Sequence, residues 1–422
     1  MRMRWQYFVL VGLLAFVLRF GFIATLDPAD TVLSDGDEYD FYGKSILAGE
    51  GYPREPKLWP FVRPPVYPYF LAGAYALFGA GNFTAVRGVQ AGLDSGTVVL
   101  VAVMAGTLAG ARAAIMAGLG AAAYPHLIHQ ASAIGTECIF TFLVALVTWR
   151  LLCAVGEPLR LGGSLTIGAI LMLAVLSRPA VGLFVAGALL WLVAATDGSI
   201  RQRVWAAAGA GSVVLVALLG WGTANWYRGG EWYLFDGSGF VFWVGHNKTY
   251  QRLFEVKDRD SYESLNRELM RSVNSERVGT QGMTVAEKNA YFVRLGLDYI
   301  RSDPAAALLL EAKKLWHLWR PWVNPLVYDS RVLLVTGVAF ALVEFLGGLG
   351  LALLWRGGRR AEILLFLLLM VSATIVGVGF LATTRYRVPM ADPYLIVTAS
   401  VAVIRGWERF RNSGRPSLSE TD

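Results

Sequence analysis

Four carboxylates, Asp35, Asp37, Glu38 and Asp40, crowd the stretch SDGDEYDFYGKSILAG at residues 34–49. Acids so placed can take a proton from a hydroxyl or hold a cation. At helical spacing Asp37, Asp40 and Lys44 share one face, and Tyr39, Tyr42 and Ile46 share another. That is the pattern of a short amphipathic helix lying on a membrane with its acids toward water. The plainer use is capping, because Asp35 and Asp37 stand where the N-terminal dipole end of a helix favours anions. A second set of residues is basic. Arg63 precedes two prolines, Arg178 sits in SRP, and Arg385 and Arg387 flank Tyr386 in RYRVP. Guanidinium groups present planar, multidentate donors suited to phosphate oxygens. Each arginine alone could instead snorkel to lipid phosphates, a use that fits the Arg385–Arg387 pair least. Glu137 opens an apolar run, a costly place for an ionisable group, with Thr136 before it as a capping alternative. Acids and arginines facing one cavity suit transfer from a phosphate-linked donor. A carboxylate accepts the proton of the attacking hydroxyl, and the leaving phosphate is stabilised by positive charge.

The elements that must hold these groups are membrane helices. Of 422 residues 55% are hydrophobic and 16% charged, and apolar runs near bilayer length recur along the chain. A water-soluble core would not need them. The net charge of +7 is no sign of nucleic-acid binding, since many basic residues fall in short loops between apolar runs. Cys138 and Cys153 lie in one run and would stand roughly 22 Å apart on a helix, too far to bridge.

The first crossing is expected over 5–26, uncleaved, with Arg2 and Arg4 keeping the N-terminus cytoplasmic. Apolar stretches follow near 66–80, 89–109, 113–131, 137–155, 163–177, 180–196 and 204–226, then 332–355, 361–384 and 388–404. Arg112, Arg150 with Arg160, and Arg201 with Arg203 mark cytoplasmic turns. This bookkeeping closes if 64–80, which opens with Pro64, Pro65 and Pro68, does not span, or if 113–131 is the odd segment instead. The expectation is therefore an all-α polytopic protein of about ten (10–12) helices, with amphipathic helices in the first outer loop. Three parts follow: an N-terminal transmembrane module (1–226) with its outer loop 27–63, a second outer region (227–330), and C-terminal transmembrane helices with a short cytoplasmic tail (331–422). Thr284 and Glu287 form a capping-box pattern that starts a helix running to about Arg301. Residues 305–319 read as an interfacial helix with Trp316, Trp319 and Trp322 at headgroup level. The tail after Arg411 is polar and expected to be disordered.

With these residues in hand, the chain resembles the membrane-embedded glycosyltransferases of the GT-C fold. Within them it is most similar to the bacterial branch related to protein O-mannosyltransferases and the lipid A aminoarabinose transferase. The matching pieces are DEYDFYGKSILAGEGY, RPPVYPYFLAGAYALFG, AYPHLIHQASAIGTECIFTFLVAL, LSRP, WVGHN and RYRVPMADPYL. The resemblance implies a polyprenyl-phosphate-sugar donor and inverting transfer on the periplasmic or extracellular face of the cytoplasmic membrane. It makes Asp37 the catalytic base with Glu38 completing the pair, and Arg63 the residue that holds donor phosphate. Tyr67 of the RPPxYP motif joins Glu137, Arg178, Arg385, Tyr386 and Arg387 as substrate-binding candidates. His246 and Asn247 lie where the family contacts its substrates, although a loop turn explains them equally. Asp35 also precedes the glycine, so the choice between Asp35 and Asp37 stays open. A divalent cation on the acids stays an alternative, although this branch generally manages without one. The acceptor, whether protein, lipid or glycan, and the sugar stay open too.

His126, His129, His246 and His317 have no metal-ligand spacing, and the Asn82 and Asn247 glycosylation patterns carry little weight. The alternative from another class is a transporter or flippase for a lipid-linked sugar. Internal repeats and midplane breaks would favour it; the sequence shows no repeat, and its ionisable residues gather at one surface.

Overall fold

The computed structural model describes residues 5–30, 35–54 and 56–413. Arg2, Arg4, Ser34 and the tail residues 414–422 lie outside them. Among the described residues all regular structure is helical. The chain opens with α1 (Trp5–Ile23), α2 (Gly36–Leu47), α3 (Val66–Phe78), α4 (Phe83–Ala109), α5 (Ala111–Ala122) and α6 (Pro125–Ser132). It continues through α7 (Glu137–Leu152), α8 (Leu161–Ser177), α9 (Gly182–Ala195) and α10 (Ile200–Gly229). The second polar region holds α11 (Ser238–Val244), α12 (Lys248–Leu253), α13 (Arg259–Gly279), α14 (Val285–Ser302) and α15 (Pro304–Trp319). The chain closes with α16 (Ser330–Arg356), α17 (Arg360–Gly379), α18 (Thr384–Met390) and α19 (Asp392–Ser413).

Among the described residues five helices, α1, α4, α10, α16 and α17, are long and apolar enough to cross a membrane, or six where α18 and α19, bent by 55°, count as one span. α3, α5, α8 and the Pro179–Ala195 stretch are shorter apolar helices. The protein is multi-pass. Contacts fix the relative direction of some helices. α1 and α5 run the same way: the Tyr7 hydroxyl donates to the Ala114 carbonyl at 3.0 Å, and Arg19 donates to the Ala122 carbonyl at 2.9 Å. α3 begins and ends against α2, since Arg63 before it pairs with Asp35 and Gly81 after it lies beside Lys44. It therefore stays at one end of the bundle, where its early prolines cost no helix hydrogen bonds. Both polar regions meet at the α2 end, where the Val62 N–H donates to the Asp236 carboxylate at 2.9 Å and Phe61 packs on Phe240. Arg112 with Glu408, and Arg405 on the Leu353 carbonyl, gather at the opposite, basic end.

One apolar core extends from Val11 to Val401. α19 packs among α4, α5 and α16, so the C-terminal helices complete the N-terminal module from within. Small residues permit the closest approaches: a Cβ on Gly350 of α16 would stand 1.8 Å from the Thr398 carbonyl of α19. Local signals set the ends of the loop helices. Thr284 and Glu287 form the expected capping box on α14, and Asp303 caps α15 through the Ala306 N–H. Two ion pairs lie wholly inside the bundle, Arg19 with Asp94 and Arg387 with Asp392.

Candidate active site

At the end of the bundle where α1 stops, five charged side chains from five separate segments form one chain of contacts. Asp35 stands at the N-cap of α2, yet its carboxylate makes no cap bond. Oδ1 accepts from Arg63 at 2.9 Å, and Oδ2 accepts from Arg385 at 3.0 Å. Glu137, the first residue of α7, behaves alike: Oε1 accepts from Arg178 at 3.2 Å and from Arg385 at 2.8 and 2.5 Å. Its other oxygen, Oε2, is buried without a hydrogen-bond partner. The order is Arg63, Asp35, Arg385, Glu137, Arg178, so two carboxylates sit among three guanidinium groups and positive charge is in excess. Capping, the plainer alternative for Asp35 and Glu137, is not what these carboxylates do.

Each arginine is held differently. Arg63 is buried in an aromatic box, its guanidinium 4.9 Å from the Tyr39 ring centre, 5.0 Å from Phe61 and 6.0 Å from Trp59. Arg178 caps the C-terminal end of α8 and lies over the Tyr386 ring at 4.6 Å. Arg385 is the most open, with a third of its side chain exposed. Burial pushes the Asp35 carboxyl up, but Arg63 and Arg385 outweigh it and hold it well below the usual carboxylate range.

The neighbouring acids divide their work. Glu38 is buried, and its oxygens accept from the Lys57 and Leu58 N–H groups at 2.9 and 2.6 Å. It thereby fixes the loop that delivers Arg63. Burial raises its pKa, against Arg63 and those two N–H groups. Asp37 lies exposed in the first turn of α2. Asp40 accepts from Lys44 at 2.7 Å and from the Tyr75 hydroxyl at 2.8 Å, joining α2 to α3. Tyr39 and Tyr42 are buried and Lys44 is exposed, as an amphipathic α2 requires.

Several expected site residues stand elsewhere. Arg387 is a correction: it is fully buried, and its donors are spent on Asp392 at 3.0 Å and on the Leu318 and Arg320 carbonyls at 3.2 Å each. The Tyr124 hydroxyl donates to the same Asp392 at 2.7 Å. Two residues from Arg385, the α18 turn points Arg387 inward as a strut. Tyr67 is also fully buried, donating to Gln90 Oε1 at 2.7 Å and packing on Tyr39. Asn247 caps α12 and donates to the Trp243 and Val244 carbonyls, which matches the loop-turn alternative. His246 is buried against Glu311 at 3.0 Å and Lys314 at 3.3 Å.

Sequence reasoning missed Asp236, Glu311 and Lys314. Asp236 grips the Val62 N–H, one residue from Arg63, and burial pushes its carboxyl up to about 7. No motif marks it; only the fold brings it to the first loop. Lys314 is fully buried, donating to Glu311 and to the Val378 carbonyl at the end of α17. It sits in an interfacial helix where a lysine reads as solvent-facing. Among the described residues no group of three His, Cys, Asp or Glu is placed to hold a metal ion.

Residues 62–221 match the family profile of the dolichyl-phosphate-mannose-protein mannosyltransferases, a span that includes Arg63, Glu137 and Arg178. No curated protein matches the sequence. Among solved structures, the chain is similar to the archaeal oligosaccharyltransferase AglB from Archaeoglobus fulgidus in complex with an inhibitory peptide and a dolichol-phosphate. The identity is 13%, coverage is 99% of this chain and 52% of that one, and the TM-score is 0.54. The same enzyme in its apo form gives 15% identity, 98% and 52% coverage, and a TM-score of 0.55. ArnT from Cupriavidus metallidurans bound to undecaprenyl phosphate gives 16% identity, 94% and 77% coverage, and a TM-score of 0.41. The chain thus spans about half the length of the oligosaccharyltransferase it matches. At these identities the likeness is one of fold alone, a fold shared with the archaeal oligosaccharyltransferase.

Proposed function

We propose that the protein transfers a sugar from a polyprenyl-phosphate donor to a hydroxyl-bearing acceptor, with inversion, at the end of the bundle that carries the five-residue charge chain. That end is taken to be the periplasmic or extracellular one, because Arg112, Arg160, Arg201, Arg356 and Arg405 gather at the other. The observation that carries the reading is the excess of guanidinium over carboxylate in a partly open cluster beside an exposed aspartate. Arg385 and Arg178 present the most accessible donors for the donor phosphate, and Arg63 supplies charge from behind.

In the chemical step the Asp37 carboxylate takes the acceptor's hydroxyl proton while that oxygen attacks the anomeric carbon. The anomeric C–O bond to phosphate breaks, its electron pair stays on the phosphate, and the arginines stabilise the charge that develops. Asp35 suits this proton transfer less well, since two arginines lower its basicity. Glu38 is committed to the 57–58 backbone. The orphan Oε2 of Glu137 offers an acceptor to a sugar hydroxyl. The test is transfer of radiolabelled sugar from polyprenyl phosphate by Asp37→Asn protein at matched levels. Near-normal turnover, with Asp35→Asn inactive, would move the base to Asp35; full activity in both would refute the mechanism.

A further inference from the structure

At the basic end, far from the charge chain, the turn before α8 and the turn before α10 enclose a cavity of about 250 Å³. It is lined by Pro158, Leu159 and Ala206 and by the polar residues Arg160, Thr196, Asp197, Gln202 and Arg203. Two arginines on one cavity normally find carboxylates. Here neither Arg160 nor Arg203 is ion-paired among the described residues, although Asp197 lines the same space. Arg203 spends one N–H on the Val193 carbonyl at 3.3 Å, and its Nε is buried without a partner. The cavity therefore carries a net positive charge and at least one unfilled donor, an arrangement an anion completes.

What lies around it narrows the anion. The adjoining faces of α8 and α10 expose Leu161, Leu165, Ile200, Val204 and Trp205, large apolar side chains beside a charged recess. Leu161, Ile200 and Trp205 are each more than 60% exposed, at 67%, 62% and 65%. An anion with an apolar tail satisfies both surfaces at once, the headgroup in the recess and the acyl chains along the helices. Trp205 stands where an interfacial indole anchors to headgroups. Basic pockets between helices at the membrane face are general sites for anionic lipid. We propose that this cavity is a binding site for the phosphate headgroup of an anionic phospholipid. The site is independent of the transfer chemistry and holds the α8 and α10 turns together at the far end of the bundle.

The test is native mass spectrometry of the full chain from detergent, with phosphatidylglycerol and phosphatidylcholine supplied at equal concentration. The intact protein should retain phosphatidylglycerol preferentially. Arg160→Gln and Arg203→Gln should each weaken that binding about tenfold, the scale of one charge-assisted contact. Arg112→Gln, an exposed arginine at the same end, should leave it unchanged. Asp197→Asn should tighten it, because the opposing charge is removed, and a misfolded variant could not mimic that gain. Equal retention of both lipids, or weaker binding in Asp197→Asn, would overturn the proposal. So would displacement of phosphatidylglycerol by millimolar inorganic phosphate, which would make the occupant a soluble anion.

Discussion

Two kinds of arginine–carboxylate grouping occur in this bundle, and they differ in ways that separate site from scaffold. Arg19 with Asp94, and Arg387 with Asp392, are one-to-one pairs with no exposed side-chain surface. The chain from Arg63 to Arg178 has three cations for two anions, reaches the surface at Arg385, and leaves Glu137 Oε2 unfilled. A neutral pair sealed from solvent gives a ligand no access, even though Asp94 Oδ1, like Glu137 Oε2, lacks a hydrogen-bond partner. An uneven, open one gives it access. Arg385 and Arg387 make the contrast within two residues of sequence.

The largest expected effect tests the open side of this comparison. Asp37→Asn should lower sugar transfer by about 10²–10⁴-fold, the usual share of general-base catalysis, in protein that remains folded. The sealed side comes next. Arg387→Met should destabilise the protein by about 3–5 kcal/mol by leaving Asp392 buried and unpaired, and Arg387→Met with Asp392→Leu should recover much of that. Thermal unfolding in detergent measures both. A well-folded Arg387→Met protein with selectively weakened donor binding would erase the distinction. Arg385→Gln should do what Arg387→Met should not, raising the donor KM or lowering turnover by about tenfold or more while the fold persists.

The last effect concerns a carboxylate of neither kind. Asp236 is buried and accepts the Val62 N–H without an ion pair, while Arg63 and Lys288 act on it only through space. Its folded value of about 7 lies above the ordinary 3.8. Below about pH 4 both states hold the proton. Between about pH 4 and 7 the unfolded chain releases it and the folded chain keeps it, so stability falls as pH rises and levels off above 7. The decline should be about 2–3 kcal/mol between pH 5 and pH 8 and vanish in Asp236→Asn, as read by melting at those two pH values.

Much of this was legible in the sequence where the signal is local or follows a membrane rule. Apolar runs gave the helices, and Pro64, Pro65 and Pro68 marked the start of the short apolar helix α3. The Thr284–Glu287 capping box and the amphipathic face of α2 were equally plain. Side-chain direction was not. RYRVP shows two arginines astride a tyrosine, and only the packing of α18 against α15 and α19 turns one outward and buries the other. Asp35 looked like a cap because caps are local, whereas its partner Arg385 is 350 residues away.

The Arg19–Asp94 pair also bears on how the chain is made. Arg19 emerges 75 residues before Asp94, an interval of roughly 4–15 s at about 5–20 residues per second. During it α1 must reside in lipid with an unmatched cation. At the centre of a helix that cation would cost about 2.5–3.5 kcal/mol. Arg19 sits instead one turn from the end of α1, near enough for its guanidinium to reach the headgroups until α4 arrives. Moving the arginine two turns inward, in an otherwise paired variant, should slow or misdirect α1 in a cell-free insertion assay, even if the finished fold tolerates it. Where one arginine stands along its helix thus provides for the seconds before its partner exists.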